Sequence, residues 1–334
     1  MSLPKAPLGQ NGPQVTRLGF GAMGLSAFYG APKPDNERLA LFDQAYNLGE
    51  HFWDSSDIYG DNEDLIGKWF AANPNKRKDI FLATKFAISS GGIDSSPEYC
   101  LKACDKSLKR LGIKQIDLYY VHRLDQKTPI EKTVEAMKQL KEQGKIKYLG
   151  LSEISSDTLR RAHKVHPISA VQVEYSPFAL EIEKKQIDLL KTCRELGIAV
   201  VAYSPLSRGM LSGSLKGPED FEEGDFRAAA PRFSKENFPK NLKLVEQMSA
   251  IAKKKGVTPS QLTLAWLMAQ GQDIFPIPGT TKVERLKENL GAFDVSLSAQ
   301  EEKDIREKVE AADVQGTRYG EAMMLACYAD TPSL

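Results

Sequence analysis

Residues 116–122 read IDLYYVH. Five of these seven positions are apolar or aromatic and they do not alternate with polar ones. That is the pattern of a strand buried on both faces rather than one half-exposed to water. Upstream, residues 97–111 (PEYCLKACDKSLKRL) carry apolar side chains at helical spacing and stop at Gly112, a helix followed by a glycine terminator. Downstream, 129–143 is amphipathic with helical period and 147–152 (KYLGLS) is again a short apolar run. Helix, strand, helix, strand is the signature of βαβ units in a parallel sheet.

Working outward, the same rhythm recurs. Further strands are predicted at 51–55 (HFWDS), 80–85 (IFLATK), 170–175 (AVQVEY), 198–204 (IAVVAYS) and 274–278 (IFPIP), and 17–20 (RLGF) completes eight. Helices are predicted at 36–48 and 182–196. Eight units close most simply into an α/β fold of the (β/α)₈ TIM-barrel type. The competing architecture, an open doubly wound sheet, carries GxGxxG after its first strand. Here Gly19, Gly21 and Gly24 form GFGAMG, which fails that spacing. The interval from Ser204 to Ile274 is about twice a normal unit and holds a polar stretch, 212–240, expected to lie over the barrel mouth after the seventh strand. The whole chain, 1–334, is read as one barrel domain. Its core spans about 8–295, and an extra C-terminal helix and tail fill 296–334.

Charge is balanced, 45 Lys+Arg against 44 Asp+Glu, so no global field favours nucleic acid or an acidic membrane. No stretch is long and apolar enough for a membrane span. The first residues, MSLPKAPLGQNG, lack the apolar core of a secretory signal, and Cys100, Cys104, Cys193 and Cys327 match neither a zinc site nor a disulfide framework. The expectation is a cytoplasmic protein with reduced thiols.

Active sites of such barrels gather at the C-terminal ends of the strands. Asp54, Lys85 and His122 stand at the ends of three consecutive predicted strands, with Tyr59 in the loop past Asp54. Each has an ordinary structural reading: Asp54 as a turn or helix-cap residue, Lys85 reaching for water, His122 as a hydrogen-bonded core group and Tyr59 as a loop tyrosine in an IYG turn. Together they suit one reaction. Reducing a carbonyl needs hydride at carbon and a proton at oxygen. A phenol of pKa about 10 is a poor acid at neutral pH. A neighbouring ammonium lowers that value, a carboxylate keeps the ammonium charged, and a neutral imidazole can donate to the substrate oxygen.

The sequence resembles the aldo-keto reductase family from residue 8 to about residue 295. The resemblance rests on 17–25 (RLGFGAMGL), 54–60 (DSSDIYG), 83–86 (ATKF) and 117–123 (DLYYVHR). It continues through 144–153 (GKIKYLGLSE), 172–177 (QVEYSP), 202–209 (AYSPLSRG) and 277–292 (IPGTTKVERLKENLGA). The long-chain NADP-dependent branch that includes perakine reductase and fungal relatives is the most similar. The resemblance implies a catalytic tetrad of Asp54, Tyr59, Lys85 and His122, with Tyr59 as general acid.

The residues also suggest where a nicotinamide cofactor, NADPH/NADP+, would lie. Tyr203 ends a strand and can stack on a flat ring; Ser152 and Gln172 close neighbouring strands and can bind a carboxamide. Gly279, Thr280, Thr281 and Lys282 follow the last strand and open a helix. With Arg285 one turn on, that is an anion site suited to a 2′-phosphate. The resemblance adds Gly21 and Met23 to the cofactor contacts and places the adenine near Glu288 and Asn289. It wraps the pyrophosphate with Ser204, Leu206, Arg208 and Gly209, under the long loop as a lid. Many family members carry Asn after the equivalent of Ser152. This chain has Glu153, which can accept from an amide NH₂ but cannot donate to its oxygen.

Phe28, Tyr29, Phe86 and Phe178 follow strand ends and suggest an aromatic substrate pocket for a small carbonyl compound. Two other readings stay open: a nucleotide-binding regulatory subunit like the potassium-channel β-subunits, and a Schiff-base lyase with Lys85 as nucleophile.

Overall fold

Buried on both faces, the apolar runs can only form the inner layer of the molecule, with amphipathic helices packed outside them. The computed structural model describes residues 3–334. It contains eight parallel strands: Phe20–Gly21, Phe52–Asp54, Phe81–Phe86, Ile116–Val121, Ile146–Ser152, Ala170–Glu174, Ala199–Tyr203 and Ile274–Pro276. Each pairs in parallel with its neighbour in chain order. The ring closes where Gly21 bridges Gly279, with Gly19 N donating to Pro276 O (2.9 Å) and Gly21 N to Pro278 O (3.2 Å). A Cβ on Gly21 would stand 2.7 Å from Ile277 O, and one on Gly279 2.7 Å from Gly21 O. This backbone seam requires glycine at both positions. The fold is the expected (β/α)₈ barrel.

Strand alternation divides the apolar runs between two cores. Leu118 and Tyr120 point inward with Phe52, Ala83, Val201 and Phe275, while Tyr119 and Val121 meet the surrounding helices. An antiparallel hairpin, Lys5–Pro7 with Gln14–Thr16, adds Ala6, Leu8 and Val15 to the inner cluster. It plugs the end of the barrel opposite the strand C-termini. Its two three-residue strands are too short to show a period in the sequence.

The helix at Pro97–Leu111 runs as predicted. Ser96 Oγ accepts from Tyr99 N at its start, and Gly112 ends it at φ +63°. The helix expected at 182–196 is shorter. A 3₁₀ turn at Glu181–Glu183 is followed by a helix only at Leu189–Glu195, after Asp188 at φ +50°. Residues 183–186 are Glu-Lys-Lys-Gln, which offer no apolar stripe to hold a helix on the barrel. The double-length interval after the seventh strand contains no further strand. It holds 3₁₀ turns and two successive helices, Phe238–Lys255 and Pro259–Ala269.

The tail beyond the helix Ala299–Glu310 returns to the strand C-termini. Ala329 pairs with Ile154, and Asp330 and Thr331 bond to Ser155, Thr158 and Arg161. All four cysteines are unpaired and buried. Among the described residues no helix is long and apolar enough to cross a membrane.

Candidate active site

Parallel strands all end on one side of the barrel, so their last residues converge there. Asp54 is the last residue of the second strand, Lys85 the penultimate residue of the third, and His122 follows the fourth. Lys85 is fully buried. Its Nζ donates to Asp54 Oδ1 (2.5 Å), Ser55 O (2.8 Å) and Tyr59 Oη (3.4 Å), which uses all three ammonium hydrogens. Tyr59 is fixed by a tight turn, its N–H donating to Ser56 O (3.2 Å). Its ring meets Phe28 edge-on at 6.2 Å and His122 at 5.8 Å. The four groups of the expected tetrad therefore form one buried cluster.

Burial opposes the charge on Lys85, but Asp54 and Tyr59 outweigh it and hold the ammonium above the ordinary lysine pKa. Burial also raises Asp54 above the usual carboxylate value, against the pull of Lys85 and Gln172. For Tyr59, burial raises the phenol further than Lys85 lowers it. The simple expectation of a depressed phenol pKa is thereby corrected: this Tyr59 carries its proton at neutral pH. His122 is pushed well below the ordinary histidine value by burial, then by Arg123 and Lys85, and is a neutral imidazole at pH 7. Its Nδ1 lies 3.1 Å from Ser56 Oγ.

Ser152 ends the fifth strand and lies beside Gln172, the middle residue of the sixth. Gln172 is not a free clamp, because its Nε2 donates to Asp54 Oδ2 (2.7 Å); that leaves its Oε1 as an acceptor. Ser152 Oγ accepts from Arg123 Nη1 (3.2 Å), leaving its hydroxyl hydrogen to donate. A primary amide needs one acceptor and one donor, and these two atoms supply that pair.

Glu153 has a different task from the one its place in the sequence suggests. It is fully buried and accepts two 2.7 Å bonds from Arg318 Nη1 and Nη2. It also accepts from Tyr203 Oη (2.8 Å) and, more weakly, from Glu174 N (3.3 Å). Burial opposes its ionisation, but Arg318 and Arg123 hold the carboxyl below its usual pKa. Glu153 therefore fastens the C-terminal tail to the rim and has no capacity left for a ligand amide.

Arg208 is likewise committed. Its guanidinium bonds to Glu174 (3.3 Å) and to Arg318 O, and packs over Tyr319 at 4.3 Å. Arg208 was expected around a pyrophosphate; in this structure its side chain belongs to a buried charge cluster with Glu174, Arg232 and Arg318. Ser204, Ser207 and Arg208 all have φ near +50° and Gly209 has φ +95°. Three non-glycine residues in that conformation within five positions mark a strained loop, as functional sites often do. Leu206 is half-buried in the same loop, and Met23 lies in a 3₁₀ turn past the first strand.

Thr281 and Lys282 are exposed at the start of the helix Val283–Leu290. No side chain caps that helix, so its first amides are available to an anion. Arg285 pairs with Glu288 (2.6 Å) and Asn289 is buried beneath. Tyr203, the strained loop, the Ser152–Gln172 pair and the uncapped helix thus fit a dinucleotide.

Two pocket expectations are corrected. Phe86 is fully buried and stacks on Tyr119 at 5.0 Å, because its strand turns that residue toward the helices. Phe178 lines a separate cavity of ≈ 620 Å³ with Lys240, Leu244, Glu307 and Val314, which touches none of the tetrad. Phe28 is 42% exposed above Tyr59. Tyr29 packs on Phe226 at 5.3 Å, and Phe226 N donates to Phe28 O. The long loop and the tail residue Tyr319, whose hydroxyl is 3.2 Å from that of Tyr203, thus complete a rim that local sequence does not disclose. Ser56 and Arg123 were also missed. Only Arg123, directly after His122, carried a visible signal, a charged residue at a strand end.

The aldo/keto reductase family model matches residues 17–310. Over its whole length the chain is 50% identical to aldo-keto reductase str7 of Strobilurus tenacellus, covering 99% of that protein. It is 51% identical to aldo-keto reductase yakc [NADP(+)] of Schizosaccharomyces pombe, again covering 99%. Among solved structures, the glycerol dehydrogenase AKR11B4 from Gluconobacter oxydans superposes with a TM-score of 0.83 at 25% identity, across 95% of this chain and 98% of that one. The chain belongs to the aldo/keto reductase family.

Proposed function

We propose that the protein reduces aldehydes or ketones to alcohols with NADPH, using Tyr59 as general acid. The observation that carries this reading is the buried Asp54–Lys85–Tyr59 chain beside a neutral His122. Bound NADPH supplies the hydride. Tyr59 Oη gives its proton to the carbonyl oxygen, and the Lys85 ammonium stabilises the phenolate left behind. Asp54 and Ser55 O hold that ammonium in place. His122 donates from Nε2 to the same oxygen and orients it. Ser152 and Gln172 orient the carboxamide, while Lys282, Arg285 and the helix amides favour a phosphate on the adenosine ribose. Aromatic Phe28, with Tyr29 and Phe226, suits substrates with flat or apolar bodies. A lyase using Lys85 as nucleophile is disfavoured, because a Schiff base needs a neutral amine and Asp54 holds this one charged.

The test is NADPH oxidation with a panel of aldehydes that includes nitrobenzaldehyde and pyridoxal. Turnover is expected with some of them. Tyr59→Phe should lower kcat by about 10²–10⁴-fold with the NADPH Kd unchanged. NADPH binding without turnover across the panel overturns the reading and favours a regulatory subunit.

A further inference from the structure

His122 can donate from Nε2 as a neutral imidazole only if Nδ1 is the bare, accepting nitrogen. Among the described residues the one hydrogen-bond partner of Nδ1 is Ser56 Oγ, at 3.1 Å. Both groups are buried. A serine hydroxyl has one hydrogen, and two other acceptors lie near it: Lys85 O at 3.3 Å and Asp57 Oδ1 at 3.4 Å. Lys85 O already accepts from Asp57 N (3.1 Å), so it does not need the hydroxyl. The imidazole nitrogen is the closest of the three and has no alternative donor.

We infer that Ser56 is a positioning residue that sets the tautomer of His122. Its hydroxyl donates to Nδ1 and leaves the ring hydrogen on Nε2, the nitrogen on the ring's far side from Ser56. The inference rests on the carbonyl-reductase reading but adds a residue outside the tetrad that acts through His122. Ser56 follows Asp54 by two positions in the turn that also carries Tyr59. One short segment therefore supplies the proton donor and orients the second hydrogen-bond donor to the same oxygen. The sequence alone makes Ser56 a turn serine; only the barrel brings it against a residue 66 positions away.

The test is ¹⁵N NMR of the His122 ring at neutral pH in the full-length protein, together with kinetics. The wild type is expected to show the Nε2–H tautomer with Nδ1 accepting. Ser56→Ala should shift the ring toward a tautomer mixture and lower kcat roughly fivefold to tenfold, with the NADPH Kd and KM unchanged. Ser56→Thr, which keeps the hydroxyl, should restore both the NMR signature and kcat relative to Ser56→Ala. A wild-type ring protonated on Nδ1, or a ring whose tautomer is the same in Ser56→Ala, overturns the inference. So does a Ser56→Thr protein of wild-type melting temperature that behaves like Ser56→Ala. Because the NMR arm needs no turnover, failure of the tautomer assignment is separable from failure of the reductase reading, which the aldehyde panel reports.

Discussion

At the scale of single residues, buried charge is tolerated only where a partner is in place. Asp54→Asn would leave Lys85 buried with no counter-ion. The expected result is a loss of about 3–5 kcal/mol of stability, read by denaturant unfolding, and a collapse of kcat because the ammonium shifts toward neutrality. Glu50 is the contrasting case. It is buried, neither carboxyl oxygen has a partner among the described residues, and burial raises its pKa well above the ordinary value. A carboxyl whose folded pKa is raised contributes stability that is present below the unfolded pKa of about 4.3 and is lost as pH rises through the folded pKa. Glu50→Met should therefore stabilise the protein by about 1–3 kcal/mol at pH 8 and by less at pH 5. Equal gains in melting temperature at the two pH values would refute this. His122 runs the other way: its depressed pKa means that stability falls as pH drops below about 6.5.

At the scale of elements, the C-terminal tail behaves as part of the barrel rim. Arg318 reaches Glu153 and Tyr203, and Ala329 pairs beside the fifth strand. Arg318→Met leaves Glu153 and Glu174 short of a cation. It should cost about 3–5 kcal/mol and expose residues 312–334 to limited proteolysis; unchanged unfolding and cleavage rates would show that the latch is dispensable. The helix at Val283–Leu290 has a separate role. Lys282→Ala with Arg285→Ala should weaken NADPH binding by about tenfold to a hundredfold and leave NADH binding nearly untouched. Equal losses for the two cofactors would place the ribose phosphate elsewhere. Its approach, Gly279 to Lys282, was readable in the sequence as a helix start, because turn and cap chemistry is local. The charge cluster of Glu153, Glu174, Arg208, Arg232 and Arg318 was not, because its members come from segments up to 165 residues apart.

At the scale of the whole molecule, a ligand that binds only the folded barrel adds its binding energy to stability. NADPH at a hundred times its Kd should contribute about 2.7 kcal/mol, measured as a rise in melting temperature that shrinks in the Lys282/Arg285 double variant. The barrel was legible because burial on both faces imposes continuous apolar runs, and parallel strands need crossover helices between them. Asp54, Lys85 and His122 were legible for the same reason: a strand that ends at the rim shows its last residue in the sequence, and parallel pairing places those ends together. The sequence by itself therefore determined the barrel, the side on which the site lies and the four groups at its centre. Tertiary structure alone decided what surrounds them: that Gln172 is tied to Asp54, that Glu153 holds the tail, that Phe86 and Phe178 face away, and that Ser56 meets His122. A doubly buried strand is a local property written in a short continuous apolar run, whereas the partner of a buried hydrogen bond is chosen by chain closure over tens to hundreds of residues, and no local pattern records it.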